Sequence, residues 1–134
     1  MKKIITLTLI FSLLIALFYK YIYSKGKLNN FLEKYPKSKY AQFIEYMLGE
    51  ICFLLNKNDS AMFRFNRVIE KYEIKNYKLN SYYKIAQIYE QKQEMTSALK
   101  IYKEIAEKYP QEYIGEISKK RYEYLTLIGY KITD

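Results

Sequence analysis

The chain has no histidine, no tryptophan and one cysteine, Cys52, in 134 residues. Without histidine it lacks the commonest general base near neutral pH and the commonest transition-metal ligand. Cys52 can close no disulfide within the chain, and no imidazole is there to take its proton. Phosphate-cradling glycine loops, GxSxG elbows and metal-ligand spacings are missing as well. The acid pair Glu90/Glu94 sits i, i+4 on one helical face, the ordinary spacing of solvated surface charge. These absences point away from an enzyme, with no catalytic residue, no cofactor and no metal.

Glycine and proline are also scarce, at four and two residues, which disfavours a fold built on many tight turns. Lysine, glutamate, leucine, isoleucine and tyrosine are plentiful, and the fold class expected is all-α. Seventeen tyrosines beside abundant lysine, isoleucine and asparagine read as biased composition rather than aromatic chemistry.

The net charge of +9 is unevenly placed. Lys2, Lys3, Lys20, Lys25 and Lys27 precede any acid, leaving 18 basic against 14 acidic residues from Leu28 onward. Those later charges alternate in sign, as on a solvated helical surface. No RNP, GxxG or zinc-knuckle pattern accompanies them, so no nucleic-acid partner is expected.

The first 25 residues read as a signal anchor, and residues 26–134 as the folded domain. Two lysines precede an uncharged run from Ile4 to Tyr19. At about 1.5 Å per residue, Ile4 to Tyr23 spans about 30 Å, the thickness of a bilayer core. Tyr19, Tyr21 and Tyr23 suit the interfacial belt, and Lys20 can extend its ammonium to the headgroups. The run ends in bulky aromatics rather than a small-residue cleavage site, so an uncleaved single-pass membrane helix is expected, with a cleaved signal as the alternative. The basic start places the amino terminus inside and the domain on the extracytoplasmic, periplasmic side.

A short tetrapeptide organises the remainder. Glu33–Lys34–Tyr35–Pro36 returns as Glu70–Lys71–Tyr72–Glu73 and as Glu107–Lys108–Tyr109–Pro110, 37 residues apart each time. Other residues keep the same beat: Tyr46 and Tyr83, Leu48 and Ile85, Gly49 and Ala86, Ala61 and Ala98, Phe65 and Tyr102. Phe65, Val68, Ile69 and Tyr72 follow helical spacing, as do Tyr102, Ile105, Ala106 and Tyr109. Apolar helices over Tyr40–Leu55 and Leu79–Gln91 precede them, and Asp59 and Thr96 stand where a side chain could cap the second helix. Each beat is therefore a helical hairpin, closed by the tetrapeptide in the last turn of its second helix.

Segment 79–112 resembles a tetratricopeptide repeat: Tyr82-x₂-Ile85-Ala86-x₂-Tyr89, then Ala98-x₃-Tyr102, then Pro110. Segment 42–75 is a poorer copy in which Leu48, Gly49, Ala61 and Phe65 fit. There Glu45 takes the tryptophan site (Tyr46 being the alternative), Cys52 the tyrosine site and Glu73 the proline site. "YPKSKYAQFIEYMLGE" and "ALKIYKEIAEKYP" are similar to bacterial envelope repeats of the outer-membrane-assembly lipoprotein, Tol–Pal coordinator and translocon-associated kinds.

The resemblance implies a tetratricopeptide-like α-solenoid: a helix over 26–34, hairpins over 37–72 and 76–109, and a last helix over 112–128. That last helix would bury Ile114, Ile117, Tyr122, Leu125 and Ile128, turn Lys119, Lys120 and Glu123 outward, and end at Gly129. Small residues at Gly49, Ala61, Ala86 and Ala98 would let helices touch, with Phe65 and Tyr102 filling the gap to the next hairpin. The resemblance also implies a concave surface for a protein or peptide partner, lined by Phe43, Tyr46, Glu50, Phe53, Tyr83, Gln87 and Glu90. Such a surface is aromatic and mildly acidic, suited to an apolar or basic segment. The function expected is a membrane-anchored interaction scaffold in envelope protein assembly or translocation. A self-associating spacer is the alternative, since two repeats lie near the lower limit for a stable stack.

Overall fold

The computed structural model describes residues 26–132 together with Ile10, Ser12, Leu13, residues 15–17 and Lys20. The signal anchor expected over 1–25 therefore lies largely outside the described residues. Among those described, no helix is long and apolar enough to cross a membrane. From Lys27 the chain forms six helices, and no strand occurs among the described residues. It divides into two compact units at Pro36.

The first unit contributes α1, Lys27–Lys34. Gly26 stands before it at φ 66, a left-handed conformation that glycine adopts without a Cβ penalty. Leu32 is its buried residue, and Phe31 lies 5.3 Å from the Tyr35 ring.

The second unit holds α2 (Lys39–Leu54), α3 (Asn58–Lys71), α4 (Lys75–Gln91), α5 (Met95–Lys108) and α6 (Tyr113–Leu127). Each packs antiparallel on the next, and α2 meets α4 as α4 meets α6. By contrast no Cα of α3 comes within 8 Å of one in α5. That difference sets the curvature: α2, α4 and α6 form the tighter inner row, and α3 and α5 the splayed outer row.

The 37-residue beat is visible in the backbone itself. Helices α3 and α5 are both 14 residues long and begin at Asn58 and Met95, one beat apart. The turns before them are also equivalent, with positive φ at Asn56 (55°) and Gln93 (61°). In each, the following amide donates back into the helix, Lys57 to the Cys52 carbonyl and Glu94 to the Tyr89 carbonyl, both at 2.9 Å. These are Schellman closures, and Gly129 (φ 104) makes the same one after α6.

Backbone closure corrects the capping expected of Asp59 and Thr96. The N-cap residues are Lys57 and Glu94, with no side-chain cap, which places Asp59 and Thr96 one step inside the helix. Asp59 instead meets Lys92 Nζ at 3.1 Å, in the turn one hairpin on. The tetrapeptide also sits slightly differently than expected. α1, α3 and α5 end at Lys34, Lys71 and Lys108, so Tyr35, Tyr72 and Tyr109 are C-caps just outside the helix.

The core follows the small residues. Ala61, Ala86 and Ala98 are fully buried. Ala61 and Phe65 of α3 pack with Ile85 and Ile88 of α4, while Ala86, Ala98, Leu99 and Tyr102 pack with Leu125 of α6. The aromatic rings thus fill the gap to the following helix. Gly49 leaves room for the Phe65 ring, whose Cε1 would lie 2.7 Å from any Cβ placed there. Leu48 and Tyr89 are half-buried and Pro110 is exposed beyond α5. Tyr82 departs from its expected packing role: it is 37% exposed, and Leu79 and Ser81 are the buried residues of that turn. On α6 the buried seam is Gly115, Ser118 and Leu125, with Ile114, Ile117 and Tyr122 half-buried and Ile128 exposed. A close approach to α5 selects small residues there over the large apolar ones.

Polar residues are built into the same stack. Glu45, in the tryptophan site of the first repeat, is fully buried on α2. Its Oε1 accepts from Arg64 Nη1 at 2.8 Å and lies 3.2 Å from Arg67 Nε, both on α3. Burial and the Glu45 carboxylate push the nearby Tyr72 hydroxyl above the ordinary tyrosine range, against the opposing pull of Arg67 and Arg64. The Gln42 amide clamps the α3–α4 connection, its Nε2 donating to the Ile74 carbonyl (3.1 Å) and its Oε1 accepting from the Ile74 amide (3.2 Å).

Candidate partner-binding groove

Residues one beat apart on α2, α4 and α6 form three rows along the inner helices. These are Met47, Lys84 and Arg121; Glu50, Gln87 and Tyr124; and Phe53, Glu90 and Leu127. Four of the seven residues expected to line the groove, Phe53, Tyr83, Gln87 and Glu90, share one cavity of about 300 Å³, with Gln91 and Arg121. Glu50 stands beside it, 2.9 Å from Lys84 Nζ, whose ammonium lies 4.7 Å from the Phe53 ring centre.

The other two go elsewhere. Tyr46 turns toward the core, 5.8 Å from the Phe65 ring and 5.3 Å from Tyr77. Burial, then the Glu50 carboxylate it bonds, push its hydroxyl far above the usual range. Phe43 lines a separate hollow of about 590 Å³ with Lys39, Tyr40, Ile74, Asn76 and Tyr77.

The groove is not acidic, because each carboxylate is answered. Arg121 clasps Glu90, its Nε lying 3.0 and 3.1 Å from the two carboxylate oxygens while Nη2 bonds Oε2. The Tyr102 hydroxyl donates to Glu90 Oε1 at 2.5 Å. Burial opposes ionisation of Glu90, yet the hydrogen bonds from Arg121 and Tyr102 outweigh it and hold the carboxyl below its usual range. Tyr83 rises through burial first and the Glu90 charge second. The other polar side chains of the wall, Gln87 and Gln91, are neutral.

This arrangement makes a pH prediction. A carboxyl held low in the folded state stabilises the fold above its unfolded pKa, about 4.3, and that contribution disappears as pH falls through the lower folded value. The melting temperature of Glu90→Gln should fall below wild type at pH 7. The gap should narrow as pH falls below the ordinary glutamate range and close once wild-type Glu90 is itself protonated. Thermal melts of both proteins across that range check it.

Lys84 and Arg121 were not expected in the groove. They stand 37 residues apart at one position of the repeat, and that recurrence of a basic residue was the available signal.

Residues 80–112 match the tetratricopeptide repeat family. The match runs from Asn80 in α4 through α5 to Glu112, the residue before α6. No curated protein and no solved structure matches the chain. Tetratricopeptide repeats are typically non-catalytic modules that hold protein or peptide partners, and the groove lies on the inner helices, where such stacks present their concave surface.

Proposed function

We propose that this chain is an interaction scaffold whose inner groove holds an uncharged, largely apolar segment of a partner protein. The observation that carries this reading is the cavity at Phe53, Tyr83 and Gln87. Its neighbouring charges are already paired, which leaves aromatic rings and the neutral Gln87 amide to line it. A charged ligand would have to break the Glu90–Arg121 or Glu50–Lys84 pair, whereas a neutral one needs only to cover the rings and meet the amide.

The setting proposed is a membrane surface in the cell envelope, with residues 1–25 as an uncleaved anchor and the repeats on the extracytoplasmic side. The basic residues that precede an uncharged run ending in tyrosines support it. Resistance of the full chain to alkaline carbonate extraction is expected, and release of a shortened soluble chain would sink the anchor.

A photoreactive residue replacing Tyr83 tests the groove. It should crosslink a discrete partner that the same group at Lys100, on exposed α5 surface, does not reach. Phe53→Ala should lower that yield several-fold, as loss of a buried aromatic anchor worth more than about 1 kcal/mol does. Equal labelling from both positions, or no effect of Phe53→Ala, would reject the groove.

A further inference from the structure

Helix α2 carries a second surface, which shares only Met47 with the three rows along the inner helices. Tyr40, Ile44, Met47, Ile51 and Leu54 follow one another at intervals of four, three, four and three residues, the spacing of a helix-pairing seam. The seam is uncovered: Tyr40 is 65% exposed, Met47 39%, Ile51 49% and Leu54 75%, with Ile44 half-buried.

The repeat shows how unusual this is. One beat later Ile51 becomes Ile88, which is fully buried against Ala61 and Phe65. Met47 and Leu54 become Lys84 and Gln91, polar where α4 meets solvent. α2 thus keeps apolar residues at positions where its sister helix, when exposed, is hydrophilic.

No charge interrupts the seam. Of the charged residues on α2, Glu45 is buried on Arg64 and Arg67, Glu50 is bound by Lys84, and Lys39 stands at the amino-terminal end. Lys39 stands at the end where the helix dipole disfavours a cation, and there is neither an acid in the first turn nor a base in the last to offset that dipole. An antiparallel partner helix of the same sequence resolves this, since it sets each Lys39 beside the other helix's carbonyl end.

We propose that α2 pairs with α2 of a second copy of this chain in a two-fold antiparallel dimer. Met47 meets the partner's Met47 at the axis, Ile44 faces the partner's Ile51, and Tyr40 faces the partner's Leu54. The register is self-complementary, as an isologous interface requires. The seam also sets no like-charged side chains against one another, although the chain carries a net charge of +9.

Two measurements on the full chain in mild detergent test the proposal. Light scattering should report a dimer, and Ile51→Glu should weaken it at least about tenfold while leaving the melting temperature near wild type, because Ile51 is half-exposed in the monomer. In a Cys52→Ser background, Met47→Cys should oxidise to a disulfide-linked dimer and Lys100→Cys should not. A monomer overturns the proposal. If Met47→Cys is then shielded from maleimide, the face belongs to another segment of the chain, and if it labels freely the face is bare. A dimer that survives Ile51→Glu overturns it too. Neither result bears on Tyr83 crosslinking, so the groove and the seam stand or fall separately.

Discussion

Glu45→Ala should lower the unfolding free energy by about 3–5 kcal/mol, the cost of stripping the partner from a buried ion pair. The carboxylate is fully buried and lies between Arg64 and Arg67, at 2.8 and 3.2 Å, so its loss leaves two guanidinium groups without the charge that balanced them. Those guanidiniums cannot deprotonate at accessible pH, and they must either stay buried at high cost or swing out and open the α2–α3 contact. The Arg64→Ala variant should suffer less, because Arg67 still answers the carboxylate. Replacing Glu45, Arg64 and Arg67 together by leucine or methionine should recover most of the loss, since apolar residues of similar volume often match a buried pair in stability. Urea midpoints of the full chain read all three variants. A Glu45→Ala unfolding free energy within about 0.5 kcal/mol of wild type, the scatter of surface substitutions, would show that the cluster is hydrated rather than buried.

That cluster is also a feature that periodicity does not announce. The 37-residue beat, the helical hairpins and the small residues at Gly49, Ala61, Ala86 and Ala98 were legible because they recur at fixed intervals. Periodicity records what every repeat must do. Glu45, Arg64 and Arg67 do something only the first hairpin does, and charges spaced far apart in the chain read as surface until the fold brings them together. The same limit explains the turns. Asp59 and Thr96 were the chemically obvious caps, but Asn56 and Gln93 close those turns with backbone alone, which no side-chain pattern announces.

The groove was half legible for a related reason. Phe53, Tyr83, Gln87 and Glu90 converge because helical register and the repeat place them on one face. Tyr46 sits on that face by register too, yet it stacks against Phe65 and Tyr77, which depends on how closely α2 approaches its neighbours. The pairing of Glu50 with Lys84 and of Glu90 with Arg121 depends on the same approach, and it turns an apparently acidic surface into a neutral one.

The second large effect is expected at Gly115, on the helix that completes the groove. Gly115→Ala would place a Cβ 1.7 Å from the Tyr109 carbonyl oxygen and 2.6 Å from its carbon. Those are backbone atoms of the turn that ends α5, and no rotamer change can clear them. The same carbonyl accepts from the Glu112 amide at 3.1 Å, so moving it also loosens the entry to α6. Overpacking of this kind commonly costs about 1–3 kcal/mol, and a backbone overlap this deep belongs at or above the top of that range. No repeat signal foretells it, because Lys78 and Ala41 stand at the same position one and two beats earlier and both carry a Cβ. Ser118→Ala is the informative companion. It lies one turn away, equally buried, and its hydroxyl has no hydrogen-bond partner among the described residues, so its removal should be neutral or mildly stabilising. Hydrogen exchange should show the Gly115→Ala damage concentrated in α6, where release of Arg121 from Glu90 also opens the groove. Uniform loss across all helices would mean instead that α6 cannot loosen without the whole stack, and melting temperatures unchanged in both variants would mean that α6 docks farther from the Tyr109 turn than the geometry places it.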